Sequence, residues 1–202
     1  MNKFLKINIY AVLLVFMFVA AMTGCSKQAS VKKFQATDIT GVDFGKDFQL
    51  TDHTGKHRTL ADFRGKAVVM FFGYTHCPDV CPTTMSDMAQ ALKLLGKDAE
   101  KVQVLFVTID PARDTPELLA QYVPAFDPGF LGLYGDDAAT AKVAKDFRIF
   151  YQKHQSANSK TYEMDHTAGT YVFDQSGNLR LFMSYGQGAE SIAQDLRALL
   201  VN

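Results

Sequence analysis

Cys77 and Cys81 stand four positions apart in Tyr74-Thr75-His76-Cys77-Pro78-Asp79-Val80-Cys81-Pro82, and each is followed by proline. A single free cysteine is most often a small apolar core residue. A pair at this spacing is different, because the turn Pro78-Asp79-Val80 folds one sulfur back toward the other. Two sulfurs so placed suit a shared metal ion, or a disulfide between them. A residue before proline is driven out of the helical region, so both cysteines are expected in extended or turn conformations. Pro82 suits the first position of a helix. Cys81 then falls at the N-cap, where free N–H groups and the positive end of the helix dipole favour a thiolate.

The elements around the pair follow from periodicity. Ala67-Val68-Val69-Met70-Phe71-Phe72-Gly73 is a continuous apolar run, the pattern of a buried strand. Met85, Met88, Ala89, Leu92 and Leu95 recur at helical spacing before Gly96, a natural stop. The segment from Phe48 to Leu60 has the form of a β-hairpin around Gly55, and Ala61–Lys66 that of a short helical turn. Val102–Asp110 predicts a second buried strand. Thr115 and Pro116 open a helix to about Phe126. A short strand is expected over Phe130–Tyr134 and a helix from Asp136 or Asp137 to about Phe147. Strands are expected over Ile149–Lys153 and Thr161–Met164, joined by a polar loop from His154 to Lys160. A hairpin over Thr170–Asp174 and Leu179–Met183, and a helix over Ala189–Leu200, complete the chain. Strands and helices in this order predict an α/β, thioredoxin-like fold: a central mixed sheet flanked by helices, with an added N-terminal β-hairpin. In that architecture a dithiol opens the first core helix, where Cys77 and Cys81 fall.

Two thiolates suit a soft ion, for which imidazole is the usual third donor. His53 and His57 lie in a hairpin turn and His154 in a polar loop, all expected to face solvent. His76 adjoins Cys77, but neighbouring side chains of an extended segment point apart. His166 lies in Met164-Asp165-His166-Thr167-Ala168-Gly169, a loop segment that faces the dithiol in a thioredoxin-like fold and normally carries a cis-proline. No proline follows Pro128 here. His166 is therefore either a third ligand or a hydrogen-bonded loop histidine.

The remaining sequence bounds the setting. Lys3 and Lys6 followed by an apolar core from Ile9 to Met22 read as a secretory signal over residues 1–24. Met22-Thr23-Gly24-Cys25 resembles a lipobox, which makes Cys25 the expected lipidated residue; a retained signal anchor is the alternative. Either predicts an exported protein attached to the membrane, facing the periplasm or the outside of the cytoplasmic membrane. Residues 25–43 read as a tether and 44–202 as one domain with a single core. Lipidation takes Cys25 out of the count and leaves Cys77 and Cys81 as a pair, in a compartment where disulfides form readily. The chain carries 21 basic and 21 acidic residues, and losing Lys3 and Lys6 leaves a net charge of −2. With no basic patch, nucleic acid is not an expected partner.

Three separated stretches carry a resemblance. Phe72–Pro82, Thr108-Ile109-Asp110-Pro111-Ala112-Arg113-Asp114-Thr115-Pro116 and Asp165-His166-Thr167-Ala168-Gly169-Thr170-Tyr171 are similar to the Sco/SenC family. These are thioredoxin-like copper proteins linked to assembly of the binuclear copper site of cytochrome c oxidase subunit II. The resemblance implies copper, Cu(I) or Cu(II), held by Cys77, Cys81 and His166. It implies site-supporting roles for Asp110 and Arg113, with Asp79 tuning thiol acidity or meeting a partner. It also implies delivery of the copper to subunit II or another acceptor. The competing reading is an extracytoplasmic thiol–disulfide oxidoreductase in which Cys77 and Cys81 cycle through a disulfide to reduce that acceptor's cysteines. The missing cis-proline and the three-residue spacer count against a generic oxidoreductase. A peroxidase resembling peroxiredoxins ranks last, because the threonine such a site needs does not stand where expected before Cys81.

Overall fold

The computed structural model describes residues 34–155 and 161–201. The signal of residues 1–24, the lipidation residue Cys25 and the tether up to residue 33 lie outside the described residues. In chain order the strands and helices begin with β1 (Thr37–Asp38), β2 (Leu50–Asp52), β3 (His57–Arg58), β4 (Ala67–Gly73) and α1 (Val80–Leu95). They continue with β5 (Val102–Thr108), α2 (Pro116–Tyr122), β6 (Leu131–Tyr134), α3 (Asp137–Asp146), β7 (Tyr151–His154) and β8 (Glu163–His166). The chain closes with β9 (Gly169–Phe173), β10 (Leu179–Ser184) and α4 (Ala189–Leu200).

The apolar run Ala67–Gly73 forms β4 as expected, and all seven of its residues are buried. It is central because both faces must be covered, the usual fate of a strand with no polar alternation. β4 runs parallel to β5, from Ala67 opposite Val102 to Gly73 opposite Thr108, and antiparallel to β9 on its other side. The main sheet has the order β1-β10-β9-β4-β5-β6-β2-β3. Mixed strand directions with flanking helices make this a thioredoxin-like fold, and the expected hairpin is its β2–β3 edge. Parallel strands β4 and β5 end side by side, so the loops that follow them meet at one end of the sheet.

Four expectations are corrected. The first core helix starts at Val80, with Asp79 as N-cap, so Cys81 is its second residue rather than the cap. Pro82 falls in the first turn, where an N–H has no intrahelical partner to lose. Thr83 N–H already bonds to Asp79 O at 3.1 Å and closes that turn across the proline. Helix α2 stops at Tyr122 rather than Phe126, because Pro124 has no N–H to continue the ladder.

The tether does not reach residue 43. Gln35 N–H and Ala36 N–H donate to the buried carboxylate of Asp195 in α4, each at 2.8 Å, and β1 pairs with β10. This anchor lies some 160 positions away in the sequence, beyond any local composition signal. Finally, His154 and His166, both assigned to loops, end strands. β7 and β8 pair as a separate two-stranded sheet, with Tyr151 opposite His166 and His154 opposite Glu163.

Candidate metal centre

The dithiol grows out of the end of β4. After Gly73 the chain turns, and Cys77 N–H donates to Tyr74 O at 3.3 Å. Cys77 remains half-buried, whereas Cys81, carried inward by the first turn of α1, is fully buried. Its sulfur packs so closely on the strand end that a Cβ on Gly73 would lie 2.9 Å from Cys81 Sγ and 2.8 Å from the Phe71 ring. Only glycine leaves that space. Cys81 N–H points at Cys77 Sγ, 3.4 Å away.

His166 reaches the pair from β8, with Nε2 3.7 Å from Cys81 Sγ. Its Nδ1 lies 3.0 Å from Thr167 O. A carbonyl only accepts, so Nδ1 donates to it, and that bond turns the ring with Nε2 toward the sulfurs. The ring edges of Phe71 and Tyr74 flank it, with centroids at 6.3 and 6.0 Å. The ligand atoms of Cys77, Cys81 and His166 all lie within 4.8 Å of one another. Two sulfurs and one oriented imidazole nitrogen form a donor set for a soft metal ion. It is the one such grouping among the described residues.

The two thiols differ sharply in acidity. The Cys81 thiol donates a hydrogen bond to Cys77 and so holds the Cys77 pKa down to about 3. Burial opposes this, and the His166 ring and the N–H groups of Asp79 and Cys81 assist it. The same bond, reinforced by burial, pushes the Cys81 thiol far up. Cys77 is thus the first of the pair to ionise, and binding an ion through both sulfurs also takes the proton from Cys81.

The supporting residues separate by distance from the sulfurs. Asp79 acts through its backbone: its N–H faces Cys77, while its exposed carboxylate takes the Thr83 hydroxyl at 3.3 Å. Asp110 and Arg113 serve the other side. Asp110 is buried and accepts from Tyr162 OH at 2.7 Å and from Arg113 Nε. Arg113 Nη1 donates to Tyr162 O at 2.8 Å, and its guanidinium lies 3.6 Å from the Tyr162 ring centroid. Tyr162 immediately precedes β8, so this cluster fastens the strand that ends in His166.

The other histidines stay apart. His76 is exposed and bonds the Thr75 hydroxyl at 3.0 Å. His53 Nδ1 accepts from Gly132 N–H at 3.0 Å, and His57 Nδ1 meets the Thr51 hydroxyl at 3.1 Å. His154 is exposed in β7. Sequence reasoning did not single out Thr75, Gly73, Asp114 or Tyr162. The first three lie within or beside the motif stretches, which was the available signal. Tyr162 had none, since its role depends on contact with Asp110 across 52 positions.

A thioredoxin-like sheet that presents a dithiol and an oriented imidazole at one end defines a protein with a soft-metal or redox centre. Comparison narrows this: the family model described as SCO1/SenC matches residues 36–201, and the chain belongs to that family. It is 37% identical over 153 residues to the mitochondrial protein SCO2 homolog of Bos taurus, covering 75% of this chain and 58% of that one. The match therefore spans less than two thirds of that curated relative. Among solved structures, copper-bound ScoI of Bradyrhizobium japonicum is 42% identical with a TM-score of 0.71, covering 78% of this chain and 99% of that one. Apo Sco1 of Thermus thermophilus is 40% identical with a TM-score of 0.74, covering 85% of this chain and 99% of that one.

Proposed function

We propose that this protein is a copper metallochaperone. It takes one copper ion as cargo through Cys77, Cys81 and His166 and delivers it to the binuclear copper site of cytochrome c oxidase subunit II. The observation that carries the reading is the convergence of the three donor atoms, with Nε2 of His166 turned toward the sulfurs. A relative with copper bound, at 42% identity, supports the choice of metal. Membership of the SCO1/SenC family supports the choice of acceptor. Soft sulfur donors suit Cu(I), and Cu(II) would add a further in-plane donor. Cys77 and His166 are only part-buried, so an acceptor's ligands have room to approach before these leave. We place the protein outside the cytoplasmic membrane, held there by a lipid on Cys25 after removal of residues 1–24.

The test is copper binding by the reduced, metal-free full chain, with His166→Ala beside the parent. Stoichiometry comes from elemental analysis and affinity from competition with a Cu(I) chelator. The expected result is one copper per chain, weakened by His166→Ala by more than the roughly 100-fold that loss of an outer partner costs at most. Copper retention unchanged by the substitution overturns the site. Incubating the loaded chain with the soluble domain of subunit II tests delivery; copper that stays put overturns the acceptor.

One observation favours a second activity. The low-pKa sulfur, Cys77, is the more exposed, and the high-pKa sulfur, Cys81, is buried behind it. That is the asymmetry of an attacking and a resolving thiol. Cys77 thiolate would attack one sulfur of the acceptor's disulfide and release the other as thiolate. Cys81 would then lose its proton, attack Cys77 and free the second acceptor thiol. Two electrons pass to the acceptor and the donor ends as the Cys77–Cys81 disulfide. Reduction of an oxidised subunit II domain by the metal-free chain, lost in Cys77→Ser, checks this.

A further inference from the structure

Asp114 has a fully buried side chain, and its polar neighbours are donors. Thr75 N–H reaches Oδ2 at 3.0 Å and the Thr75 hydroxyl reaches Oδ1 at 2.6 Å. The Thr108 hydroxyl reaches Oδ2 at 2.6 Å. That hydroxyl accepts Asp110 N–H at 3.0 Å, which leaves its own proton for Asp114. Half-exposed His76 brings its Nδ1 to 3.7 Å from Asp114 Oδ1. A carboxylate withdrawn from water needs its lone pairs filled, and here half of the filling comes from one residue, Thr75. Thr75 lies two positions before Cys77. Its N–H and its hydroxyl are both tied to the same carboxylate, so the residue can neither slide nor rotate without breaking two bonds at once. The next turn, closed by Cys77 N–H on Tyr74 O, starts from that fixed point.

We infer that Asp114 is a positioning residue of the metal centre, which acts through Thr75 to fix the loop that presents Cys77 to Cys81 and His166. The inference rests on the metal-binding reading for its effect on copper, but not for its effect on the loop. Asp114 belongs to the same short stretch as Asp110 and Arg113 and serves the opposite side of the site. One segment, Thr108–Thr115, thereby holds both the loop bearing Cys77 and the strand bearing His166.

Asp114→Asn, Thr75→Val and Thr75→Ser are compared with the parent as full chains. Far-ultraviolet circular dichroism and melting temperature establish that each is folded. Cu(I) affinity by chelator competition, the thiolate-to-copper absorption of the Cu(II) form, and alkylation of Cys77 and Cys81 in the metal-free chain by iodoacetamide are then read. Asp114→Asn and Thr75→Val should each weaken copper by about 10–100-fold, alter the absorption band and speed alkylation of Cys81, normally shielded. Thr75→Ser restores the hydroxyl and should match the parent in all three. If Asp114→Asn does not fold, the Thr75→Val and Thr75→Ser pair decides alone. Parent-like copper affinity and parent-like shielding of Cys81 in folded Thr75→Val overturn the inference. A parent that takes no copper overturns the chaperone reading instead, and the alkylation rates still decide the role of Asp114.

Discussion

The cysteine arm and the histidine arm of the site are built to different standards. The cysteine arm leaves β4, the most enclosed strand of the sheet, and enters α1 with Cys81 wholly buried. The histidine arm is β8, half of a two-stranded sheet in which Met164 is the one buried residue. A lone two-stranded ribbon is marginal in water. This one is fastened by Tyr162 and Arg113 on Asp110, and by the paired bonds between Thr167 and Phe150. If the chain hands copper to an acceptor, as proposed, the inequality has a use: the sulfurs would keep their places while the third donor is exchanged. A resident cofactor site would gain nothing from such unequal support.

The strongest test of the division removes a sulfur. Cys81→Ala should abolish copper retention, while the fold loses only about 1 kcal/mol, the cost of one buried heavy atom. Elemental analysis beside a melting curve checks both. Gly73→Ala should come next. Its methyl group would crowd Cys81 Sγ and the Phe71 ring, costing about 1–3 kcal/mol of stability and weakening copper through the cysteine arm. Both effects should persist in a His166→Ala background, because they do not pass through the histidine.

A smaller effect is expected on the other arm. Tyr162→Phe takes one donor from buried Asp110, a local loss of about 1–3 kcal/mol, and loosens the entry to β8. Copper affinity should fall by about tenfold, the low end for an outer partner. In the His166→Ala background the fall should vanish, since the strand then has no ligand to place. Chelator competition on the two single variants and the double variant reads this directly. A tenfold loss that survives without His166 would break the two-arm description.

The two arms also differed in how much their sequences revealed. β4, α1 and the dithiol were legible because a continuous apolar run, a helical repeat and a cysteine pair are local patterns. The start of α1 was misplaced by two residues, since the proline rules describe isolated chain and the burial of Cys81 favours helix up to Val80. On the histidine arm, the local pattern predicts strands over nearby residues but places His166 in a loop, where the fold has it end β8. Its place depends on register with Tyr151, which short polar strands do not announce. Thr75, Asp114, Tyr162 and Asp195 work through contacts between distant parts of the chain. The two cysteines are a local pattern in the sequence, whereas the approach of His166 to them from 85 positions away is a product of the fold.

The finest separation of the arms concerns protons. In the metal-free folded chain Cys77 holds its charge down to about pH 3, where an unfolded chain would bind a proton below the ordinary thiol value of 9.0. Between those limits the unfolded state binds more protons, so stability should rise with pH across that window. Above it the sign reverses, because Cys81 keeps its proton in the fold and would lose it on unfolding. Ultraviolet absorbance of the thiolate, followed from acid to alkaline pH, should therefore count one thiolate per chain from the Cys77–Cys81 pair over most of the range. Cys81→Ala removes the leading cause of the depressed pKa and should move the acid edge of the window strongly upward. His166→Ala removes a lesser one and should move it only slightly. Equal movements would mean that the histidine arm shapes the dithiol as much as the dithiol shapes itself, and the division between a firmly built arm and a lightly held one would fail at the sulfur where they meet.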